Sequence, residues 1–151
     1  MLAYRISKAK YAEKLEASGA TNRWNKAGQF VIYASESRAL ASLELVVHRS
    51  AIIQSETYKV MVIEIPTENQ EMVREIQLSD LPPNGNTLQS YPRLQEIGSR
   101  WFEKRESLIL EVPSALIHKV NNFVIKKKHD SFSSHVKLIG LEDFYWDGRL
   151  F

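Results

Sequence analysis

The sequence predicts a mixed α+β fold in a single domain, on three observations. Short runs rich in β-branched and aromatic residues alternate with helical patterns, but without the regular strand–helix–strand spacing of a doubly wound sheet. The 151 residues have the usual size of one domain. No linker or repeat divides them, so residues 1–151 read as one unit. A hydrophobic fraction of 44% with 25% charged residues is that of a chain that buries a core.

The elements follow in order. Ser7 is placed to cap a short helix through about Leu15, where Tyr11 and Leu15 fall at i, i+4. Residues 19–28 are a loop between glycines, followed by a β-rich run at 29–34. Ser35 or Ser37 then caps a helix to about His48, with Leu40, Leu43 and Val47 on one face. Residues 58–65 (YKVMVIEI) are the strongest strand signal, stopped by Pro66. Thr67 with Gln70 is a capping pattern for a short helix ending near Ile76. Pro82, Pro83, Gly85 and Pro92 mark residues 80–92 as a long surface loop. A helix from Ser90 carries Leu94, Ile97 and Trp101 on one face, with Pro92 in its first turn. Strand-like runs follow at 108–112, 123–125 and 135–141. The sum is three or four helices and five or six strands.

Composition excludes several classes of chemistry. Without cysteine there is no disulfide scaffold, thiolate zinc site or cysteine nucleophile. A net charge of +2 is no footprint for a dedicated nucleic-acid binder. Apolar runs such as 30–34 fall far short of the roughly 20 residues of a membrane span. No apolar stretch follows the basic residues of 1–28, so no secretory signal is read and the cytoplasm is the default compartment. Phosphate-loop, dinucleotide, zinc-protease and nucleophile-elbow motifs are absent. His48, His118, His129 and His135 have no ligand-like spacing, so no metal site is expected. Any chemistry falls to Arg, carboxylate, hydroxyl and aromatic groups.

Glu44 is the first candidate. At i+4 from Leu40 and i−3 from Val47 it occupies a slot where the helical period calls for an apolar side chain. An inward carboxylate must be paired or face a cavity. A stripe of Ala39, Leu43 and Val46 would instead leave Glu44 at a solvated edge. The loop at 19–28 sets Arg23, Trp24 and Asn25 between glycines, and a guanidinium fork suits a diphosphate. Tyr33, on the next strand, offers a ring for stacking. Lys126–Lys127–Lys128 reads as a solvated cluster, with contact to an acidic partner surface or to nucleic acid as the alternative.

Arg23-Trp24-Asn25-x-x-Gly28, Val31-Ile32-Tyr33-Ala34 and Ala39-Leu40-Ala41-x-Leu43-Glu44 together resemble the signature of the RES domain family. Trp101, Val112-Pro113-Ser114-Ala115, Asn122 with His129, and Asp147-Gly148-Arg149-Leu150 continue it in order to the end of the chain. Two departures accompany the match: Ile125-Lys126-Lys127-Lys128 stands before His129 where the family often has Asn-Pro, and the segment from Gly19 to Arg23 is shorter than in some members. The resemblance implies a curved mixed sheet with packed helices, related to the ADP-ribosyltransferase fold. It implies a toxin of a type II toxin–antitoxin pair that depletes NAD⁺ by cleaving the nicotinamide–ribose bond, with inorganic phosphate or water as acceptor. NAD⁺ would be substrate, with no cofactor. The partner would be an Xre-type helix-turn-helix antitoxin, through which alone the toxin would meet DNA; no membrane is involved. Arg23, Glu44 and Ser114 would be the catalytic group, with Arg23, Tyr33, Trp24 and Asn25 contacting NAD⁺. Ser114 also reads as a plain turn hydroxyl after Pro113. The alternatives are ADP-ribose transfer to a macromolecule, and a non-enzymatic RNA-directed module stacking bases on Trp24 and Tyr33 beside Lys126–Lys128.

Overall fold

A computed structural model describes residues 1–47 and 52–151. Among them, seven strands form one sheet: β1 (Leu2–Lys8), β2 (Val31–Ser35), β3 (Tyr58–Glu64), β4 (Val73–Glu75), β5 (Ile109–Pro113), β6 (Asn121–Lys126) and β7 (Lys137–Phe144). Their order is β4-β5-β6-β2-β1-β3-β7, with β4 and β5 parallel and every other pair antiparallel. Three helices accompany them: α1 (Arg38–Val47), α2 (Tyr91–Glu103) and the single turn α3 (Phe132–His135). The mixed α+β class is the one the residue pattern predicts.

Strand alternation sends side chains to two faces. On one, Ile32, Ala34, Met61, Ile63, Ile109, Phe123 and Ile125 pack with Leu15, Phe132 and Val136. On the other, Val31, Leu110, Val112 and Val124 lie under Leu94 and Trp101 of α2, while Ile6, Val60 and Val62 lie under Ala41 of α1. The apolar spacing of α2 holds as read, with Leu94 and Trp101 buried and Ile97 packed beside them.

Three elements differ from the expectation. Ser7 caps no helix: it lies in β1, and only one 3-10 turn follows, at Ala9–Tyr11. All seven residues of β1 pair with β3, and that ladder overrides the local capping signal. Thr67 and Gln70 start no helix either; the segment turns and enters β4, aligned by parallel pairing of Val73–Glu75 with β5. On α1 the buried residues are Leu40 and Ala41, whereas Leu43 is 36% and Val47 52% exposed. Ser37 caps this helix, its hydroxyl accepting the Leu40 N–H at 3.1 Å. The expected end at His48 lies outside the described residues.

The pairing of β1 is unequal on its two sides. Against β3 it runs from Leu2↔Glu64 to Lys8↔Tyr58 without a break. Against β2 the only paired position is Tyr4↔Ser35. Beyond that point the two strands splay, and the sheet opens.

Candidate active site

A cavity of about 800 Å³ lies at this opening, with Arg5, Arg23, Tyr33, Glu44, Tyr91 and Asn122 among its walls.

The loop carrying Arg23 is built by its own residues. Gly19 and Gly28 adopt φ +72° and +86°, and the Gly28 N–H closes the loop on the Gly19 carbonyl at 2.8 Å. The Asn25 amide donates to the carbonyls of Ala20 (2.9 Å), Lys26 (3.1 Å) and Gln29 (3.3 Å), and its oxygen accepts the Tyr33 hydroxyl at 2.6 Å. Asn25 therefore shapes the loop and does not line the cavity, contrary to its expected contact with substrate. Trp24, 2% exposed, is a core residue packed with Leu94 and Trp101; it touches the cavity wall but presents no open face for stacking. Its backbone N–H donates to the Tyr33 hydroxyl at 3.1 Å. Burial pushes the Tyr33 phenol well above its usual pKa, so it stays protonated as the donor to Asn25.

With its neighbours turned inward, Arg23 is the loop's charged side chain at the cavity. Its Nη2 donates to the Gly85 carbonyl of the 80–92 loop, and its guanidinium lies 6.0 Å from the centre of the Tyr91 ring. Nε is buried without a hydrogen-bond partner. Burial lowers the guanidinium pKa, opposed by Tyr91 and then Glu44. An N–H with no partner among the described residues, on a half-buried guanidinium, is free to donate to an anion.

Glu44 faces the same cavity from α1, so its inward placement is the one the structure adopts. Its Oε1 accepts the Asn122 amide at 2.6 Å and the Ser114 hydroxyl at 3.3 Å. Ser114 is also a turn hydroxyl, accepting the N–H groups of Leu116 (3.0 Å) and Ile117 (3.3 Å). Both readings of Ser114 describe one atom: the turn orients the hydroxyl that meets Glu44.

Sequence reasoning passed over two wall residues. Arg5, on β1, reaches across the splayed strands and donates to the Tyr33 carbonyl at 3.3 Å. Burial lowers its pKa as well, and no carboxylate pairs with it among the described residues. A period-two reading of residues 2–8 would have set Arg5 between Ala3 and Ser7 on a core-facing row. Asn122 figured only as a motif match, although it makes the shorter of the two hydrogen bonds to Glu44.

The lysine run is solvated only in part: Lys128 is exposed and Lys127 half-buried, but Lys126 is not at the surface. Lys126 is 5% exposed and its ammonium donates to the carbonyls of Trp101 (2.9 Å) and Lys104 (2.6 Å). Lys127 and Lys128 lie over the rings of Phe132 and Phe30 at 4.5 and 4.2 Å. The RNA-directed alternative thus loses Lys126 as a free cation and Trp24 as a stacking platform. Among the described residues no cluster of His, Asp or Glu could hold a metal ion, and no helix is long and apolar enough to cross a membrane.

Fold and site together define a small α+β protein with a carboxylate and two desolvated guanidiniums around a cleft in a split sheet. The RES domain matches residues 2–147, and the chain belongs to that family. It is 32% identical over 154 residues to "Toxin Res" of Photorhabdus laumondii subsp. laumondii, covering 99% of this chain and 97% of the relative. It is equally identical to "Toxin Res" of Yersinia enterocolitica serotype O:8, over 99% of each chain. At 28% identity over 142 residues it is also similar to "Prs ADP-ribosylating toxin" of a Sphingobium species, covering 92% of this chain and 88% of that one.

Proposed function

We propose that this chain is a toxin that breaks the nicotinamide–ribose bond of NAD⁺, passing ADP-ribose to inorganic phosphate or water. The observation that carries the reading is Glu44 held inside the cleft that Arg23 also lines. Cleavage of that bond develops positive charge on the ribose while the nicotinamide leaves neutral and needs no proton. A fixed carboxylate beside the sugar stabilises that charge in a water-poor site. Arg23, with its orphaned Nε, grips the diphosphate. Arg5 adds a second cation at the seam, for the substrate or for an acceptor phosphate. Tyr33 lines the cleft with its hydroxyl committed to the loop.

Transfer to a protein acceptor is the second reading, favoured by the apolar rim of the cavity, where Tyr11 and Leu88 are 63% and 78% exposed, and by the name of the Sphingobium relative. The same rim suits the helix-turn-helix antitoxin expected to silence the toxin. The test is incubation of purified chain with NAD⁺, with and without phosphate, followed by product identification. Free nicotinamide with ADP-ribose 1″-phosphate or ADP-ribose supports the first reading. Release that requires added protein supports the second, and intact NAD⁺ overturns both.

A further inference from the structure

We propose that Asn122 and Ser35 are positioning residues that hold one oxygen of Glu44 and leave the other to face the substrate. The inference deepens the proposed NAD⁺ reaction and rests on it for its catalytic consequence.

Ser35 and Asn122 are register partners on β2 and β6, so their side chains stand together on one face. Ser35 is buried, and its hydroxyl donates to Asn122 Oδ1 at 2.6 Å. Glu44, which only accepts, takes the N–H side of the amide, and the Ser35 hydroxyl donates to the oxygen on the other side. Nδ2 donates to Glu44 Oε1, also at 2.6 Å. Ser114 adds its donor to the same oxygen, and Oε2 takes no hydrogen bond from any described residue. The result is a relay, Ser35 to Asn122 to Glu44, that fixes the carboxylate from behind.

The choice of donor matters chemically. A lysine or arginine in place of Asn122 would hold Glu44 equally well but cancel the negative charge that a developing sugar cation requires. An amide fixes the group and leaves its charge intact. The serine secures that amide from behind: its hydroxyl donates to the oxygen that the carboxylate, an acceptor only, turns away from itself.

Two readouts test the relay. By NMR, one Asn122 side-chain amide proton in the whole protein is expected downfield and slow to exchange. Both features should vanish in Ser35→Ala while the backbone spectrum persists. By kinetics, Ser35→Ala should lower kcat about tenfold and Asn122→Ala about 10²-fold, with KM for NAD⁺ changed less than about twofold. Ser35→Thr should restore both signals. An unshifted amide proton in wild type, or Ser35→Ala with unaltered kcat, overturns the proposal. If the wild-type chain leaves NAD⁺ intact, the proposed reaction fails while the amide resonance still decides the relay. If Asn122→Ala does not fold, Ser35→Ala, with its smaller change in volume, carries the test.

Discussion

β1 meets its two neighbours in contrasting ways. Its ladder with β3 is continuous over seven positions, buries Met61 and Ile63, and carries no cavity-facing charge beyond Arg5. Its border with β2 holds at Tyr4↔Ser35 alone, and there Arg5, Tyr33, Glu44 and Asn122 converge. A sheet loses backbone hydrogen bonds where its strands splay, so a gap is an expense unless other groups occupy it. Here the Arg5 guanidinium reaches the Tyr33 carbonyl across the gap. The contrast separates what holds the fold from what does the chemistry: substitutions at the seam should act on turnover, and those away from it on stability.

The largest effect expected at the seam is that of Glu44→Gln. It preserves volume and the acceptor for Asn122 while removing the charge, so turnover should fall by about 10²–10³-fold. The melting temperature should stay close to wild type. A variant of normal turnover would separate the seam from the chemistry.

Arg23 comes next. Arg23→Lys should lose nearly as much NAD⁺ affinity and turnover as Arg23→Ala, because an ammonium cannot reproduce a planar fork that reaches Gly85 and still offers Nε–H. Full activity with lysine would reduce Arg23 to a general cationic attractor.

How much of this was legible beforehand depended on whether the signal was local. Residues 58–65 announced a strand because β-branched side chains are suited to a pleated surface whatever surrounds them. Arg23 and Glu44 stood out because a charge in a glycine-bounded loop, or in an apolar helical slot, is locally anomalous. Arg5 and Asn122 are ordinary polar residues on strands, and only the splay of β1 from β2 gives them meaning. β4 was hidden for a similar reason, being three residues defined by their partner strand. The lysine run misled because charge predicts exposure, whereas Lys126 finds two carbonyls at the end of α2.

A third substitution tests whether α2 couples the two kinds of region. A Cβ on Gly98 would sit 1.8 Å from the Trp24 carbonyl oxygen, so the helix can approach the Arg23 loop only as glycine. Gly98→Ala should cost about 1–3 kcal/mol of stability, read from denaturant unfolding. It should also weaken NAD⁺ binding by displacing Arg23. Lost stability with unchanged binding would show that the loop holds its shape without α2.

The last residue, Lys126, does not line the cleft, so its substitution is expected to act on stability rather than on turnover. Burial lowers its ammonium pKa from 10.5 to about 8. Between these values the unfolded chain carries a proton on Lys126 that the folded chain has released. The unfolded state binds more protons there, so this group makes stability rise as pH increases from about 8 to about 10.5. The neutral amine keeps hydrogens to donate to the carbonyls of Trp101 and Lys104, so α2 stays tied to β6 throughout. Lys126→Met removes both the titration and the hydrogen bonds. The stability advantage of wild type over this variant should therefore widen with pH across that window and be flat below it, as read from unfolding curves at successive pH values. A difference that stays constant to pH 10 would mean that Lys126 titrates alike in the folded and unfolded chain, and that its two carbonyl contacts fully offset its burial.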